Sequence, residues 1–421
     1  MENIAQLDEF LTNVVRFTAQ YSFDKAKDIC RKEKIMTNTG AYKDLLSLLP
    51  YMISVEKSYS EMGFLTAKSK VAVKKDNTLK SAYLEIKSDC EKIQPSEAEY
   101  ERILKEIISW TEIRCQLIDS YNKMYTTATY NKHLKMQEFI DSLNSIVNNA
   151  MASYAPKTMA NMKILIELET SCLLDLIYAQ YFLENWNLVR CTSHISSAKS
   201  NLVIWENTLQ NKETWRLNFL RMNTVPELYR WLIKFKTFLL EKFSVYFYMI
   251  IRQQTSVSDL KTICGKNRLE FLQKFQNISR KCGHETTSVM LVFDACGIKN
   301  WHGPGYRCPL KNTKTESPST SYYVMLRHPE KPSEPLNVMP TIRRILVEHF
   351  SDILFLDRVV CRYISEENST YFITSIEEKI SLVAYYNSKK DDKQSDIDNY
   401  ILELAWMIRS HRVFLSLNSN R

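Results

Sequence analysis

One stretch of this sequence brings together several residue types that could do chemistry. It is the Gly-rich segment Gly297-Ile-Lys-Asn-Trp-His-Gly-Pro-Gly-Tyr306. A phosphate cradle needs a glycine loop that opens directly into a helix, so that backbone N–H groups point at the anion. Here Pro309 and a Ser/Thr-rich linker follow instead. The pattern therefore favours a long ordered loop over a nucleotide site, and the role of residues 297–309 stays open.

A zinc site is the second chemistry that this region offers. Thiolate and imidazole are ligands that zinc prefers, but strong zinc motifs pair them at short, regular spacings. No two of the candidates here have that knuckle spacing. The sequence therefore assigns no metal-binding and no cofactor-binding residue. The candidates considered are Cys282, His284, Cys296, His302 and Cys308.

Nucleophilic catalysis would need a Ser or Cys, an adjacent His and an orienting carboxylate. His133, His194, His349 and His411 fall on or beside amphipathic helices, where they are expected as ordinary surface or boundary residues. The sequence contains no GxSxG or HExxH motif and no paired-carboxylate pattern. We therefore predict that the protein is not an enzyme and has no catalytic residues.

The composition is that of an ordinary folded chain. Its 421 residues can form two or three domains, and the low counts of 7 Gly and 11 Pro favour long regular elements. The net charge of +8 is spread over both signs, which favours a solvated surface over a nucleic-acid or anionic-membrane site. Most aromatic residues fall at helical core spacing rather than on a base-stacking platform. No nucleic-acid partner is predicted.

The cysteines and the N-terminal residues indicate in which cellular compartment the protein is expected. The 10 Cys are scattered singly without a CxxC pair, as in a protein with reduced thiols in the cytoplasm. The first 20 residues lack a basic region followed by an apolar run, so no signal peptide is expected. No apolar stretch reaches the roughly 20 residues that a membrane span needs. The sequence predicts a cytoplasmic protein without a transmembrane segment.

The rest of the chain is organised around a long helix predicted over 226–254. Glu241, Lys242 and Ser244 interrupt its apolar surface and argue against a membrane span. We expect it to be the last helix of an N-terminal bundle, so that Phe243→Asp or Tyr246→Asp unfolds the bundle. Its apolar stripe, at steps of four and three, consists of Leu228, Leu232, Phe235, Leu239, Phe243, Tyr246 and Ile250.

The preceding residues also have helical periodicity. The clearest period runs over 97–126 and is broken only by Arg114, while Pro50 is expected to kink or break a helix. Residues 1–254 are therefore predicted to form an all-α helical bundle. The other predicted helices are 3–19, 41–67, 76–93, 134–152, 158–184 and 188–211.

Residues 255–421 have a mixed pattern. The predicted order is α-β-β-α-β-β-β-α, with a long Gly/Pro/Ser loop over 295–320 and a hairpin turn over 377–379. The order resembles the roadblock and longin group, in which helices cover a five-stranded antiparallel sheet. The predicted class is therefore α+β. The predicted helices are 267–281, 339–353 and 395–410, and the predicted strands are 288–293, 322–327, 358–364, 370–375 and 380–387.

The order and spacing of several segments resemble the KICSTOR complex subunit 2 family along most of the chain. In the Gly-rich loop the chain departs from that pattern, because Trp301-His-Gly-Pro-Gly and Cys308 stand where the family tends to be His-rich. This departure weakens the zinc interpretation further. The segments are Phe23-Asp-Lys-Ala-Lys-Asp28, Tyr121-Asn-Lys-Met-Tyr125, Trp231-Leu-Ile-Lys-Phe-Lys, Lys242-Phe-Ser-Val-Tyr-Phe247, Arg252-Gln-Gln-Thr255, Val289-Met-Leu-Val-Phe-Asp294, Gly303-Pro-Gly-Tyr306, Ser369-Thr-Tyr-Phe-Ile-Thr374, Ser388-Lys-Lys390 and Val413-Phe-Leu-Ser-Leu417.

The resemblance implies a non-enzymatic scaffold subunit. It implies assembly with kaptin-like, FG-GAP repeat and large seizure-threshold scaffold subunits at the lysosomal membrane surface. It also implies recruitment of the GATOR complex, so that TOR complex 1 is restrained when amino acids or glucose are scarce. Two alternatives stay open: a roadblock/longin-type platform that acts directly on a small GTPase, and a basic helical module that binds anionic membranes.

Overall fold

The computed structural model describes residues 2–36, 43–63, 78–95, 97–130, 132–209, 225–252, 273–275, 286–298, 321–328, 338–390 and 395–418. The N-terminal part is helical and the C-terminal part contains a sheet with helices, so the predicted α+β class is confirmed. The predicted division after residue 254 lies outside the described residues and stays a prediction. The same holds for most of the predicted helix 267–281 and for loop residues 299–320.

Long amphipathic helices form the first part of the fold. Each buries an apolar stripe, as the periodicity predicts. A π-helical segment, Ile146–Met151, continues α6. The helices are α1 Glu2–Ala19, α2 Phe23–Met36, α3 Lys43–Ser60, α4 Leu79–Lys92, α5 Ala98–Ala128, α6 Met136–Ser145, α7 Ala160–Glu184, α8 Leu188–Leu209, α9 Glu227–Tyr246 and α10 Tyr248–Arg252.

Of the kink or break expected at Pro50, the break does not occur, and a second helix prediction differs from the structure. Pro50 lies inside α3 without breaking it, although an interior proline costs a helix about 3 kcal/mol. Buried leucines before it and buried Met52 and Ile53 after it offset this cost. Conversely, the helix expected over 226–254 breaks at Phe247. The Phe247 ring is fully buried and stacks 6.3 Å from that of Trp186, so core packing fixes the break.

The sheet has five antiparallel strands in the order β2-β1-β5-β4-β3. Helices α11 Met339–Glu348 and α12 Phe350–Ile353 follow β2, and α13 Ser395–Ile408 and α14 His411–Leu415 follow β5. These strands and helices follow the chain order β-β-α-β-β-β-α that the sequence predicts. The strands are β1 Thr286–Asp294, β2 Tyr322–His328, β3 Val360–Ile364, β4 Ser369–Glu377 and β5 Ile380–Tyr386.

The two faces of the sheet are covered differently. The inner face, with Leu291, Phe293 and Leu382, belongs to the same hydrophobic cluster as the helical bundle. The outer face packs against α11 and α12 in a separate, smaller cluster that contains Met290 and Ile345. Strands β4 and β5 are buried along their whole length, because both of their faces are covered. The bundle and the inner sheet face therefore share one continuous core.

Candidate functional site

The C-terminal segment after α13 joins the helical bundle to the sheet. The indole Nε1 of Trp231 on α9 donates a hydrogen bond to the carbonyl oxygen of Val413, at 3.1 Å. The neighbouring Phe414 ring lies 5.7 Å from Phe139 and 5.5 Å from Phe235, in edge-to-face geometry. These contacts bring α6, α9 and α14 together. We call this region, with the charges described next, the junction.

Lys242 of α9 lies at the centre of the junction. Its side chain is completely buried, and its ammonium pairs with the carboxylate of Glu377 at the end of β4. It also donates to the Ser410 hydroxyl at 3.1 Å and to the Gln180 side-chain carbonyl at 3.3 Å. One cation thus holds groups from α7, α9, β4 and the C-terminal segment. The turn predicted over 377–379 is shorter in the structure, because Glu377 is a buried residue at the end of β4.

A second carboxyl group, that of Glu184 on α7, lies beside this ion pair. It accepts a hydrogen bond from Gln180 Nε2 at 2.7 Å, and the same amide nitrogen lies 3.3 Å from Glu377. Burial and the adjacent Glu377 carboxylate raise the pKa of Glu184 well above its usual value of 4.5, against the opposing effect of Lys242. Glu184 is therefore a carboxyl group of the junction that binds a proton more tightly than an exposed glutamate does.

Two further basic residues fix the C-terminal segment. Arg409 donates to the carbonyl oxygens of Leu356, at 2.6 Å, and Ser375, at 2.5 Å. Burial lowers the pKa of Arg409 to about 10, so that it stays charged at neutral pH. His411 donates from Nε2 to the carbonyl oxygen of Lys132, at 2.8 Å, and burial lowers its pKa. The prediction that His411 is a surface or boundary residue is wrong, because its side chain is buried against a segment distant in the sequence.

A cavity of about 690 Å³ opens beside the junction. Charges of both signs line it, and the Phe182 ring forms part of its wall. His133 lines a second cavity of about 320 Å³, and burial lowers its pKa to about 4, which keeps that imidazole neutral. The charged residues that line the first cavity are Lys135, Glu138, Glu184, Arg190, Glu378 and Lys379.

A separate buried ionic cluster lies inside the bundle. Arg114 of α5 donates from Nη1 to Glu169 at 2.7 Å and from Nη2 to Glu56 at 2.5 Å. Burial lowers the pKa of Arg114, but the Glu56 and Glu169 carboxylates raise it well above its usual range. Three phenols complete the cluster: Tyr83 donates to Glu56 at 2.7 Å, and Tyr59 and Tyr121 donate to Glu169 at 2.6 and 3.1 Å.

A Ser–His–Asp set that no sequence motif indicated lies on α7 and α8. His194 Nδ1 and Ser197 Oγ both bind Asp175, at 2.8 and 2.5 Å. In nucleophilic catalysis the serine hydroxyl must donate a hydrogen bond to the imidazole, so that the imidazole can take the hydroxyl proton. Here the hydroxyl is bonded to the carboxylate instead. The set connects α8 to α7, and the His194 ring stacks on Tyr178 at 4.9 Å.

The structure describes one of the five zinc candidates. Cys296 is exposed, and its backbone N–H donates to Asp294 at 2.8 Å. Cys282, His284, His302 and Cys308 lie outside the described residues, as does most of the Gly-rich segment. Within the described ranges no group of three or more His, Cys, Asp and Glu residues could hold a metal ion. None of the helices that the structure describes is long and apolar enough to cross a membrane.

Comparison with known proteins assigns the chain to a class of complex subunits. The family described as KICSTOR complex C12orf66 like matches residues 2–420, and the chain belongs to this family. It is similar to KICSTOR subunit 2 of Xenopus laevis, with 25% identity over 418 residues that cover 94% of this chain and 93% of that protein. KICSTOR subunit 2 of Danio rerio is 24% identical over 434 residues, which cover 98% and 95%. The resemblance inferred from the sequence is therefore confirmed.

Proposed function

We propose that this protein is a non-enzymatic scaffold subunit of a KICSTOR-like complex. In this role it tethers the GATOR complex to the lysosome and negatively regulates TOR complex 1 when amino acids or glucose are scarce. Its partners are kaptin-like, FG-GAP repeat and large seizure-threshold scaffold subunits. It works as a cytoplasmic protein recruited to the lysosomal membrane surface, with neither a cofactor nor a nucleic-acid partner.

One observation carries the proposal: within the matched span 2–420, the described bundle helices and the inner sheet face share a single core. A scaffold has to hold its binding surfaces at fixed relative positions. A continuous core does this, because packed interiors transmit displacement rather than absorb it. The buried charges of the junction lie between those two parts, where they can fix their mutual orientation.

Affinity purification from nutrient-starved cells tests the proposal. The tagged protein should recover the three partner subunits together with GATOR subunits. The same protein with Tyr246→Asp, which disrupts the junction, should recover none of them. Recovery of the intact protein without any of these partners would overturn the proposed function.

A cellular readout tests the regulatory part separately. Cells that lack this protein should keep phosphorylating TOR complex 1 substrates during starvation, and re-expression of the intact protein should restore the shut-off. Normal shut-off in its absence would contradict the regulatory role, even where the complex itself assembles.

A further inference from the structure

The cavity of about 690 Å³ beside the junction lies between the bundle and the sheet. Its walls come from the start of α6, the end of α7, the start of α8, the residues after β1 and the turn between β4 and β5. Its volume falls in the range of about 300–1,000 Å³ that is usual for small-molecule sites. Leu134, Met136 and Ile298 add apolar surface to the charged wall. A cleft of this size and composition can hold a small molecule that has both a polar and an apolar part.

Arg190 of α8 is the first of two cations in this wall that have no carboxylate partner. Its guanidinium carbon lies 5.3 Å from the centroid of the Phe182 ring. It forms no ion pair with any residue that the structure describes. A guanidinium that rests on an aromatic ring still presents its N–H donors in a fork, to which an oxyanion can bind through two hydrogen bonds. Arg190 is therefore positioned at the cavity with its charge unpaired.

Lys379, in the turn between β4 and β5, is the second unpaired cation. Its ammonium donates a hydrogen bond to the carbonyl oxygen of Cys296 at 2.8 Å, and this neutral acceptor does not balance the charge. Among the described residues no carboxylate forms an ion pair with it. The hydrogen bond holds the ammonium on the sheet side of the cavity, whereas Arg190 lies on the bundle side. A ligand that reaches both cations therefore contacts both parts of the fold.

The carboxyl groups of the wall offset these two cations only in part. Glu138 already pairs with Lys123 at 3.6 Å and with Lys135 at 3.9 Å. Burial raises the pKa of Glu184, so this group carries less negative charge than an exposed glutamate at the same pH. Glu378 is exposed and forms no ion pair with a described residue. Two unpaired cations thus face one unpaired carboxylate, and a cleft concentrates their field on a bound anion.

We propose that this cavity binds a small organic acid, whose carboxylate or phosphate oxygens contact Arg190 and Lys379 and whose apolar part lies against the apolar wall. The acid binds reversibly and undergoes no reaction, so no catalytic group is required. Because the bundle and the sheet both contribute to the site, the bound acid stabilises the folded arrangement of the two. The proposal is independent of the scaffold function, since binding is measured on the isolated protein.

Calorimetric titration of the purified full-length protein tests the proposal with three small probes. Benzoate and phenyl phosphate should both bind at millimolar concentration. Benzamide has nearly the shape of benzoate but no charge, and it should bind at least about tenfold more weakly, because it forms no charge-assisted hydrogen bond. Tighter binding of phenyl phosphate would assign the site to phosphate esters, and tighter binding of benzoate would assign it to carboxylic acids; either result supports the proposal.

Variants of the two cations locate the site. Arg190→Gln/Lys379→Gln should weaken the binding of both anions at least about fivefold, because it removes both charged donors. Its thermal unfolding should stay close to that of the wild type, since glutamine can still donate to the carbonyl that Lys379 contacts. Lys199→Gln/Lys234→Gln is the matched control, because it removes two positive charges from exposed positions outside the cavity. It should bind both anions as the wild type does.

A third variant should change the affinity in the opposite direction. Glu378→Gln removes the unpaired carboxylate of the wall and should strengthen the binding of both anions at least about twofold, a gain that a damaged fold would not give. The proposal is overturned if neither anion binds the wild type at millimolar concentration, or if benzamide binds as tightly as benzoate. It is also overturned if Arg190→Gln/Lys379→Gln binds both anions as tightly as the wild type, since the anions would then occupy another site.

Discussion

Both buried ionic clusters place a cation beside buried carboxyl groups, but the cation is an arginine in one and a lysine in the other. In the bundle, the Arg114 guanidinium serves two carboxylates at once, and three phenols supply further hydrogen bonds. At the junction, the Lys242 ammonium pairs with Glu377, while burial and Glu377 raise the pKa of the neighbouring Glu184. A planar guanidinium presents donors in a fork, whereas an ammonium is a compact point charge. The guanidinium thus pairs with two buried carboxylates at once, whereas the ammonium pairs with one.

The comparison also separates what each cluster connects. Arg114 joins α3, α5 and α7, which already pack through long apolar stripes. Lys242 joins the bundle to the sheet and to the C-terminal segment. Breaking the first cluster should therefore disturb the bundle, whereas breaking the second should disturb the relative position of the bundle and the sheet.

The largest effect is expected when a third carboxyl group enters the junction. Tyr246 is fully buried, and its ring centroid lies 5.4 Å from the Lys242 ammonium. Tyr246→Asp removes this ring and adds a carboxylate that one lysine cannot neutralise. We expect a loss of about 4–5 kcal/mol in the free energy of unfolding, measured by urea denaturation. Phe243→Asp is the control and should cost less, because Phe243 is only partly buried; an equal loss would contradict this account.

The next largest effect is expected from Arg114→Ala. Removing the guanidinium leaves Glu56 and Glu169 buried with only phenol donors. Breaking a buried ion pair typically costs about 3–5 kcal/mol, and urea denaturation should show a loss in that range. Arg31→Ala removes an exposed pair with Asp28 and should change stability little. If both variants unfolded at the wild-type midpoint, the Arg114 cluster would not be held by its charges.

A somewhat smaller effect is expected from Lys242→Met. Glu377 keeps the donors Gln180 and Ser410 and can take up a proton, so we expect a loss of about 3 kcal/mol. Lys242→Met/Glu377→Met should regain most of it, because apolar pairs often replace buried ion pairs without loss. Its bundle–sheet orientation, measured by cross-linking, should be less uniform than in the wild type. A uniform orientation would show that apolar packing alone sets it.

The smallest effect at neutral pH is expected from Glu184→Gln, which mimics the protonated group. The folded-state pKa of Glu184 lies above its usual value of 4.5, so the folded state binds this proton more tightly. The resulting stability is complete below pH 4.5 and is lost as the pH rises through the folded-state pKa. Urea denaturation in a pH series should show this alkaline loss in the wild type and not in Glu184→Gln. The exposed Glu167→Gln should keep the wild-type profile.

The sequence predicts what depends on local periodicity. Long stripes of apolar residues identify most helices, and the alternation of strand residues identifies the sheet, because burial of one face imposes those periods. The glycine and cysteine spacings predict no site, and most of the Gly-rich segment lies outside the described residues. Pro50 was expected to kink or break a helix, but buried leucines before it and buried Met52 and Ile53 after it keep α3 continuous.

The buried charges could not be predicted in the same way. Arg114 occupies a position in the buried stripe of α5 where an apolar residue is expected. In the sequence it looks like an interruption of that stripe, because its partners Glu169 and Glu56 lie 55 and 58 residues away. From the sequence alone Lys242 looks like a solvent-exposed charge, because its partner Glu377 is 135 residues distant. A charged residue at a buried position of a long apolar stripe is the one local sequence signal of such a buried ionic cluster. It gives the position of the charge but not its partner.

The insertion of residues 409–418 into the core has a consequence for how the chain is made. Trp231 and Phe235 are synthesised long before Val413 and Phe414, the residues that cover them. Tyr125 is likewise made 293 residues before Asn418, which donates a hydrogen bond to its hydroxyl. During translation the bundle therefore exposes an aromatic cleft that closes only when the last described residues leave the ribosome. A nascent chain with exposed aromatic surface is a substrate for chaperones until residues 409–418 have been made.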